Sequence, residues 1–268
     1  MIDAHVHLWS LGRNGCTWPT PDLAPIYHDV TLEDLSEVAL AGGVDRAILV
    51  QSQEDDADTA WLLSIANHPL IAGVVSWIDF AGADAATGIG RLALNYRLLG
   101  LRPMVQDREA DWYDAPELDP AFAAMTALQL VLDAFVRPRH LPSLFKLAVR
   151  HPDLSIVIVH GAKPVPTDLG PWSEQMDMLV RLPNVSCKLS GLVTVYPPRA
   201  PADAIGLVSD RLWNAFGAER LIWGSDWPVL TLAGDYASWL NQYRRMVPAG
   251  HHKAVFDSNA RRIYGLQQ

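Results

Sequence analysis

Two histidines, His5 and His7, stand two positions apart near the start of the chain. Residues 2–8 alternate apolar and polar side chains, which is the period of a β-strand and predicts that Asp3, His5 and His7 share one face. Two such imidazoles lie about 7 Å apart, given a rise of roughly 3.3 Å per residue, so their nitrogens can converge on one metal ion or one substrate oxygen. The pair alone also fits a half-buried strand that has no catalytic or metal-binding role. Suitable polar residues on other strands would therefore be needed to favour a functional site. The opposite face is expected to carry the apolar residues Ile2, Ala4, Val6 and Leu8.

Further polar residues stand in or just after short apolar runs along the rest of the chain. They are Gln51, Arg102, Asp133, Arg137, His160, Lys188 and Asp226. Some could be structural, because Lys188 could pair with Asp133 and Asp226 could cap a turn. Buried charges cost several kcal/mol unless they are paired or used, so the whole set favours a site over a purely structural role.

The elements that position these residues follow a regular rhythm of strand and helix. Eight short apolar runs predict strands at residues 2–8, 46–51, 71–78, 99–102, 130–135, 155–160, 185–189 and 221–226. Helices are predicted at 32–41, 59–67, 85–97, 119–127, 141–150, 172–181, 202–216, 235–246 and 252–264, the first of them with Thr31 and Asp34 as a capping box. The rhythm predicts an α/β fold, a (β/α)8 TIM barrel forming a single domain over residues 1–268, with its active site at the carboxyl ends of the strands.

Composition narrows the class of protein. The chain has 268 residues, 50% of them hydrophobic, and a formal net charge of −9 without a run of Lys or Arg, which argues against a nucleic-acid partner. Its two cysteines, Cys16 and Cys187, fit a reducing cytoplasm better than a disulfide framework. No signal peptide and no membrane partner are expected, because no basic stretch precedes an apolar run and no apolar run could cross a bilayer.

A long loop over residues 10–29 is rich in Gly, Pro and aromatic residues. A loop of this length in a compact domain is usually functional, so Trp18 and Tyr27 are candidates to cover the site; a surface loop held by its own aromatics is the alternative. Trp77 and Trp227 are further candidates for apolar walls around a bound ring, with burial in the core as the alternative for each.

Longer motifs carry a resemblance to a known family. Residues 2–7 (Ile-Asp-Ala-His-Val-His), 160–164 (His-Gly-Ala-Lys-Pro) and 223–228 (Trp-Gly-Ser-Asp-Trp-Pro) resemble the amidohydrolase superfamily. Three more segments narrow the likeness: 136–142 (Val-Arg-Pro-Arg-His-Leu-Pro), 187–191 (Cys-Lys-Leu-Ser-Gly) and 259–264 (Asn-Ala-Arg-Arg-Ile-Tyr). They are similar to the amidohydrolase-related lactonases, which include L-fuconolactonase-like and L-rhamnonolactonase-like sugar lactonases and, more distantly, 2-pyrone-4,6-dicarboxylate lactonases.

The resemblance implies catalytic roles for four residues. Asp226 would act as general base on a water that opens a lactone, preferably a sugar (aldono) lactone, and His160 would orient the water or the carbonyl oxygen. His5, His7 and Asp226, with His160 nearby, would hold one divalent metal ion, zinc in the first place. That ion, or the imidazoles of His5 and His7 directly, would polarise the carbonyl. Two departures argue against a two-metal site: Arg102 stands where binuclear members carry a carboxylated Lys or a Glu, and Asp133 where they carry a His. Related pyrone lactonases work without metal, so metal independence is the alternative.

The partner expected from this resemblance is a small-molecule lactone. Arg102 and Lys188 would hold its hydroxyls or a carboxylate. The other substrate-binding candidates are Trp18, Tyr27, Gln51, Trp77, Asp133 and Arg137. A pyrone or muconolactone-type dicarboxylate lactonase, a metal-dependent decarboxylase of the same superfamily, and a non-enzymatic barrel that binds a sugar acid are the alternative functions. The oligomeric state is left open, a homodimer included.

Overall fold

The computed structural model describes residues 1–195 and 203–266, and its core is an eight-stranded parallel sheet. Each strand pairs with the next one along the chain, in the order β1 to β8. The strands are β1 Ile2–Val6, β2 Arg46–Val50, β3 Ile71–Ser76, β4 Leu98–Leu101, β5 Val131–Ala134, β6 Ile156–Ile158, β7 Val185–Leu189 and β8 Leu221–Trp223. The predicted (β/α)8 barrel is therefore confirmed.

The helices of the described residues alternate with these strands. They are α1 Leu32–Gly42, α2 Asp56–Ile65, α3 Ala85–Leu92, α4 Asp119–Ala127, α5 Leu141–Arg150, α6 Leu169–Leu179, α7 Leu192–Val195, α8 Ala204–Phe216, α9 Tyr236–Met246 and α10 Asn259–Ile263, the last preceded by a π-helical turn Ala254–Ser258. The capping box predicted at Thr31 and Asp34 is present, and Gly43 ends α1 in the left-handed conformation. Ala202, predicted to begin the helix before β8, lies outside the described residues.

Apolar side chains form two layers on either side of the strands. One cluster joins alternate strand residues inside the barrel, among them Ile48, Val75 and Val157, and Tyr264 closes it from the end of the chain. The larger cluster joins the outward strand residues to the surrounding helices. Because both faces of each strand are buried, the strands read as nearly continuous apolar runs.

The side-chain alternation predicted for β1 is wrong at its centre. Ile2 and Ala4 belong to the inner cluster, whereas Val6 belongs to the outer one. The pairing with β2 shifts between Asp3 and Val6, so β1 carries one extra residue there. A bulge of this kind redirects side chains, and Asp3 therefore accepts a hydrogen bond from Tyr236 of α9 rather than sharing a face with His5.

The barrel closes between β8 and β1 through the residues that follow β8. Val6 and Trp227 form a parallel bridge. The amide of Asp226 donates to the carbonyl oxygen of His5 at 2.9 Å, and the amide of His7 donates to that of Trp227 at 2.8 Å. The predicted eighth strand was too long because the chain turns at Asp226, whose φ is +63°.

Two further expectations concern membrane-spanning segments and the cysteines. No helix within the described residues has the length and apolar character needed to cross a bilayer. Cys16 and Cys187 are both free thiols, and Cys187 is buried in the outer apolar layer, as its alternation with Lys188 predicts.

Gly100 of β4 provides a test of how tightly the barrel is packed. A Cβ at this position would collide with the carbonyl oxygen of Val131 on β5, so Gly100→Ala is expected to lower the free energy of unfolding by about 1–3 kcal/mol. Gly90→Ala in α3 is the matched control, because a Cβ there meets nothing within 4 Å and alanine favours a helix by up to about 1 kcal/mol. Urea unfolding of both variants measures the difference, and a Gly100→Ala protein as stable as the wild type would contradict this packing.

Candidate active site

A cavity of about 620 Å³ opens at the carboxyl ends of the strands. His7, Arg102, His160 and Asp226 line it, each from a different strand end. In barrels of this kind the loops after the strands form the active site. The cavity is therefore the candidate active site.

Three imidazoles surround one carboxylate oxygen at the cavity wall. Oδ1 of Asp226 lies 3.5 Å from Nε2 of His5, 3.4 Å from Nε2 of His7 and 3.6 Å from Nε2 of His160. All four side chains are at least 95% buried. The four residues predicted to be catalytic are thus brought together around one point.

Backbone bonds fix Asp226 in this position. Its left-handed backbone turns the carboxylate into the cavity while the amide is bonded to His5. The preceding Ser225 amide donates to Oδ1 of Asp3 at 2.9 Å, and the Ser225 hydroxyl accepts from the Trp227 amide. The turn after β8 is therefore fixed on both sides of Asp226.

His160 is held by a tight turn and a neighbouring loop. After β6 the backbone takes positive φ at every residue from His160 to Lys163. Nδ1 of His160 lies 2.8 Å from the hydroxyl of Ser190, which follows β7. At Gly191 φ is +64°, and a Cβ there would strike the His160 ring, so this position requires glycine.

Hydrogen bonds define which nitrogen of His7 and His5 carries the proton. Nδ1 of His7 donates to the carbonyl oxygen of Val50 at 2.8 Å, which leaves its Nε2 unprotonated. Nδ1 of His5 lies 3.4 Å from Nζ of Lys188. An ammonium group can only donate, so His5 accepts there and carries its proton on Nε2, 3.1 Å from Nε2 of His7.

Burial sets the charge of the cluster. Burial lowers the pKa of His7 and brings the pKa of His160 to about 3. Burial and the nearby charge of Lys188 together hold the pKa of His5 well below its ordinary value. Burial alone would raise the pKa of Asp226, but His160, His7 and Lys163 outweigh it and keep that pKa below its usual value. At neutral pH the site is therefore one carboxylate among neutral imidazoles.

The same donor set fits a single divalent metal ion. His5, His160 and Asp226 offer ligand atoms within 4.8 Å of one another. Tetrahedral ligands at about 2.0 Å from zinc lie about 3.3 Å apart, close to the spacings of 3.4 Å and 3.6 Å from Asp226 to His7 and His160. His7 presents an unprotonated Nε2 as it stands, whereas His5 can act as a ligand only after its Nε2 proton has left.

A buried ion pair lies beneath this cluster. Nζ of Lys188 is 2.5 Å from Oδ2 of Asp133, and the Tyr264 hydroxyl donates to Oδ1 of the same carboxylate at 2.5 Å. Lys188 and Asp133 are fully buried and do not line the cavity. Lys188 and Asp133 therefore form the structural ion pair that the sequence offered as an alternative to substrate binding, and this pair lies next to His5.

The other predicted substrate-binding residues take different positions. Arg102 and Trp18 line the cavity. Gln51 is buried behind Arg102, donating to its carbonyl oxygen and accepting from its guanidinium. Arg137 does not line the cavity; its Nε donates to the carbonyl oxygen of Gln106.

The remaining aromatic candidates do not reach the cavity. Tyr27 is 42% exposed, and Trp77 is partly buried; neither lines the cavity. Trp227 belongs to the outer apolar cluster. Within the loop over residues 10–29, the part around Trp18 covers the site. The side chain of Gln53 holds it there, accepting hydrogen bonds from the Thr17 and Trp18 amides and donating one to the Trp18 carbonyl oxygen.

Sequence reasoning missed Lys163, Gln106 and Phe135, which also line the cavity. Lys163 belongs to the motif at 160–164, yet nothing in that motif says where its side chain points. Its Nζ donates to Oε1 of Gln106 at 2.6 Å and lies 4.1 Å from the centre of the Phe135 ring. The guanidinium of Arg102 lies 4.7 Å from the centre of the same ring.

The chain belongs to the amidohydrolase family, whose model matches residues 2–266. Over 279 aligned residues it is 41% identical to an L-fucono-1,5-lactonase of Burkholderia ambifaria, covering 100% of this chain and 96% of that protein. An L-fucono-1,5-lactonase of Burkholderia multivorans is 31% identical, with the same coverage. The solved structure of an amidohydrolase from Burkholderia multivorans with bound zinc matches with a TM-score of 0.90 at 32% identity, covering 99% of each chain.

The ion pair beneath the site can be tested by removing one charge. Asp133→Asn keeps an acceptor for Tyr264 but leaves the Lys188 ammonium buried without a counter-ion, which is expected to cost about 3–5 kcal/mol of unfolding free energy. The double variant Asp133→Asn with Lys188→Met removes both charges and is expected to be more stable than Asp133→Asn alone. Urea unfolding of both variants measures this, and a double variant no more stable than the single one would contradict the pairing.

Proposed function

We propose that the protein hydrolyses a lactone, in the first place a sugar (aldono) lactone. The observation that carries the proposal is the Asp226 carboxylate at the cavity wall, with three imidazole nitrogens within 3.6 Å of its Oδ1. Similarity over the whole chain to two proteins named L-fucono-1,5-lactonase supports the substrate class.

In the proposed reaction Asp226 is the general base. It takes a proton from a water molecule while the water oxygen bonds to the lactone carbonyl carbon. The carbonyl oxygen gains negative charge, and in this proposal the imidazoles of His5 and His7 stabilise it. When the carbonyl re-forms, the bond to the ring oxygen breaks and a hydroxy acid results. Neutral imidazoles suit this role because they do not compete with the water for the carboxylate as charged groups would.

The proposal includes one divalent metal ion at this cluster, zinc being the ion in the solved relative. The unprotonated Nε2 of His7, an Nε2 of His160 and the carboxylate of Asp226 would hold it, and His5 would join after losing its Nε2 proton. When bound, a divalent ion supplies Lewis-acid polarisation of the carbonyl and lowers the pKa of a bound water. Arg102 stands at the position where two-metal relatives carry a ligand that bridges both ions. An arginine cannot bridge two cations, which supports a site for a single ion.

Arg102 and Trp18 are the proposed substrate contacts. Arg102 is 2% exposed and lines the cavity, and Gln51 accepts a hydrogen bond from its guanidinium. Trp18 provides an apolar wall beside it. A guanidinium and an indole are the groups expected to bind the hydroxyls and the ring face of a sugar lactone.

A lactone that carries a carboxylate is the second candidate substrate. It is favoured by two cations in the cavity wall, Arg102 and Lys163, neither of which lies within 4.0 Å of a carboxylate among residues 1–195 and 203–266. A carboxylate is the natural partner of such groups. This candidate and the sugar lactone use the same Asp226 chemistry and differ only in the substrate.

We further infer that the reaction takes place in the cytoplasm. The unpaired thiols of Cys16 and Cys187 support a reducing compartment. The proposed partner is the small-molecule lactone itself.

Proton release from a panel of 1,4- and 1,5-aldonolactones and of lactones bearing carboxylates tests the function. Wild-type protein is expected to hydrolyse an aldonolactone, and Asp226→Asn to lose at least about 100-fold in kcat because the general base is gone. Exposed His28 lies outside the cavity, so His28→Ala is the control and keeps full activity. Hydrolysis that survives in Asp226→Asn would contradict the assignment of the base. A wild type that binds sugar acids but turns over no lactone would contradict the function.

Metal analysis of protein purified without chelator tests the ion. We expect about one zinc per chain in the wild type and a clear loss of bound zinc in His160→Ala, because a nitrogen ligand is removed. His28→Ala is again the control. Protein without metal whose activity survives chelator would show that the imidazoles act alone.

A further inference from the structure

Trp18 is the proposed apolar wall for the substrate, yet it lies in a long loop rather than on a strand or a helix. Other contacts must therefore hold its indole at the cavity. The loop over residues 10–29 meets the chain that follows β2, where residues 52–55 also line the cavity. The residue that joins the two loops is Gln53, whose side chain is buried beside Trp18.

The carboxamide of Gln53 uses its whole hydrogen-bonding capacity within the protein. Its Oε1 accepts from the amides of Thr17 and Trp18, at 3.0 Å and 3.2 Å. Its Nε2 donates to the carbonyl oxygen of Trp18 at 2.7 Å and to the hydroxyl of Ser52 at 3.0 Å. A carboxamide offers two lone pairs on oxygen and two N–H donors, and all four are engaged here. Gln53 can therefore act on a substrate through the residues that it holds.

Helix α2 fixes the backbone of Gln53 in turn. The carboxylate of Asp58, in the first turn of this helix, accepts hydrogen bonds from the amides of Ser52 and Gln53 at 3.1 Å and 3.4 Å. Asp58 is 1% exposed, so water does not compete for these bonds. The side chain of Gln53 therefore extends from a fixed backbone, which is what a group that positions another residue requires.

Two further contacts support the loop around Trp18. Gly15 has a φ of +68° and packs so closely on Asp55 that a Cβ would strike its carboxyl group. The Trp18 ring meets the ring of Trp9 edge-on, with 5.3 Å between the ring centres. Trp9 is 1% exposed and anchored by its indole N–H, which donates to the carbonyl oxygen of His28. Trp18 is thus held by a buried aromatic residue and by Gln53 while it lines the cavity.

We propose that Gln53 is a positioning residue that holds Trp18 at the cavity wall and thereby sets the affinity for the lactone. This inference rests on the proposed lactone hydrolysis, which gives Trp18 a bound ring to contact. Gln53 binds both the amide and the carbonyl oxygen of Trp18, so the backbone that carries the indole cannot shift without breaking these bonds.

The effect of this arrangement falls on binding rather than on the chemical step. An indole packed on the face of a ring makes the same contact in the bound substrate and in the transition state. Such uniform binding lowers KM and leaves kcat unchanged. Loss of the hold on Trp18 is therefore expected to raise KM, whereas a residue acting on Asp226 or the imidazoles would change kcat.

A double-mutant cycle on the 1,5-aldonolactone that the wild type hydrolyses best tests the proposal. Trp18→Ala is expected to raise KM about 10-fold with kcat within about 2-fold, because one aromatic contact is lost. Gln53→Ala is expected to raise KM nearly as much. The double variant is expected to stay within about 2-fold of Trp18→Ala alone, because Gln53 acts through Trp18. Gln242→Ala, the same substitution in α9 outside the cavity lining, is the control and keeps the wild-type KM.

Limited digestion with trypsin measures the hold on the loop without any substrate. Arg13 is an exposed residue of this loop, and a loop that opens more often is cut faster. Gln53→Ala is expected to be cut after Arg13 at least about 5-fold faster than the wild type or Gln242→Ala. Gly15→Ala displaces the loop from Asp55 and leaves Gln53 in place, so it is expected to be cut faster and to raise KM as well. It carries the test if Gln53→Ala does not fold.

Three results would overturn the proposal. They are additive effects of Gln53→Ala and Trp18→Ala on KM, a fall in kcat with KM unchanged in Gln53→Ala, and cleavage after Arg13 at the wild-type rate in that variant. A wild type that hydrolyses no lactone would contradict the proposed function and the role in affinity with it. The rate of cleavage after Arg13 would still show whether Gln53 holds the loop, so the two failures are distinguishable.

Discussion

The closure of the barrel between β8 and β1 is the constraint on which the site depends. The amide of Asp226 and the carbonyl of His5 form one of the hydrogen bonds that join the two ends of the sheet, and His7 and Trp227 form the next. The same peptide groups therefore complete the fold and fix the distances between the carboxylate and the imidazoles. Site and fold are coupled here, since a shift of one strand against the other would move Asp226 away from His5 and His7 together.

A second constraint is the set of charges buried below the cluster. The interior of the barrel is apolar at the level of Ile48 and Val157, and the Asp133–Lys188 pair lies between that floor and His5. Such a pair is costly to bury, and it is retained without direct contact with the cavity. Its visible effect is on His5, because the Lys188 ammonium fixes the proton on Nε2. The hydroxyl of Tyr264, in the last turn of the described chain, donates a hydrogen bond to Asp133. The segment that closes the bottom of the barrel is thereby connected to the site through Asp133, Lys188 and His5.

Local sequence patterns predicted the fold well because the determining features are local. Runs of apolar residues identified every strand, and Thr31 with Asp34 located the start of α1. The patterns failed where pairing between strands decides the outcome. The bulge in β1 moves Asp3 away from the face of His5, and nothing in the alternation of residues 2–8 announces it, since the extra residue is defined only relative to β2. Lys163 was missed for a related reason: consecutive positive φ angles send its side chain into the cavity, and such a turn has no simple residue signature.

The distribution of charge in the cavity explains why these residues suit an ester better than an amide. Asp226 alone is anionic among the atoms that meet at the centre, the imidazoles are neutral, and the two cations of the wall stand apart from it. A cyclic ester is electrophilic enough for attack by water with a carboxylate base and hydrogen-bond donors. An amide would also need a strong proton donor at nitrogen before its bond could break. One carboxylate among neutral hydrogen-bonding groups is therefore a set of residues that suits attack by water on a cyclic ester.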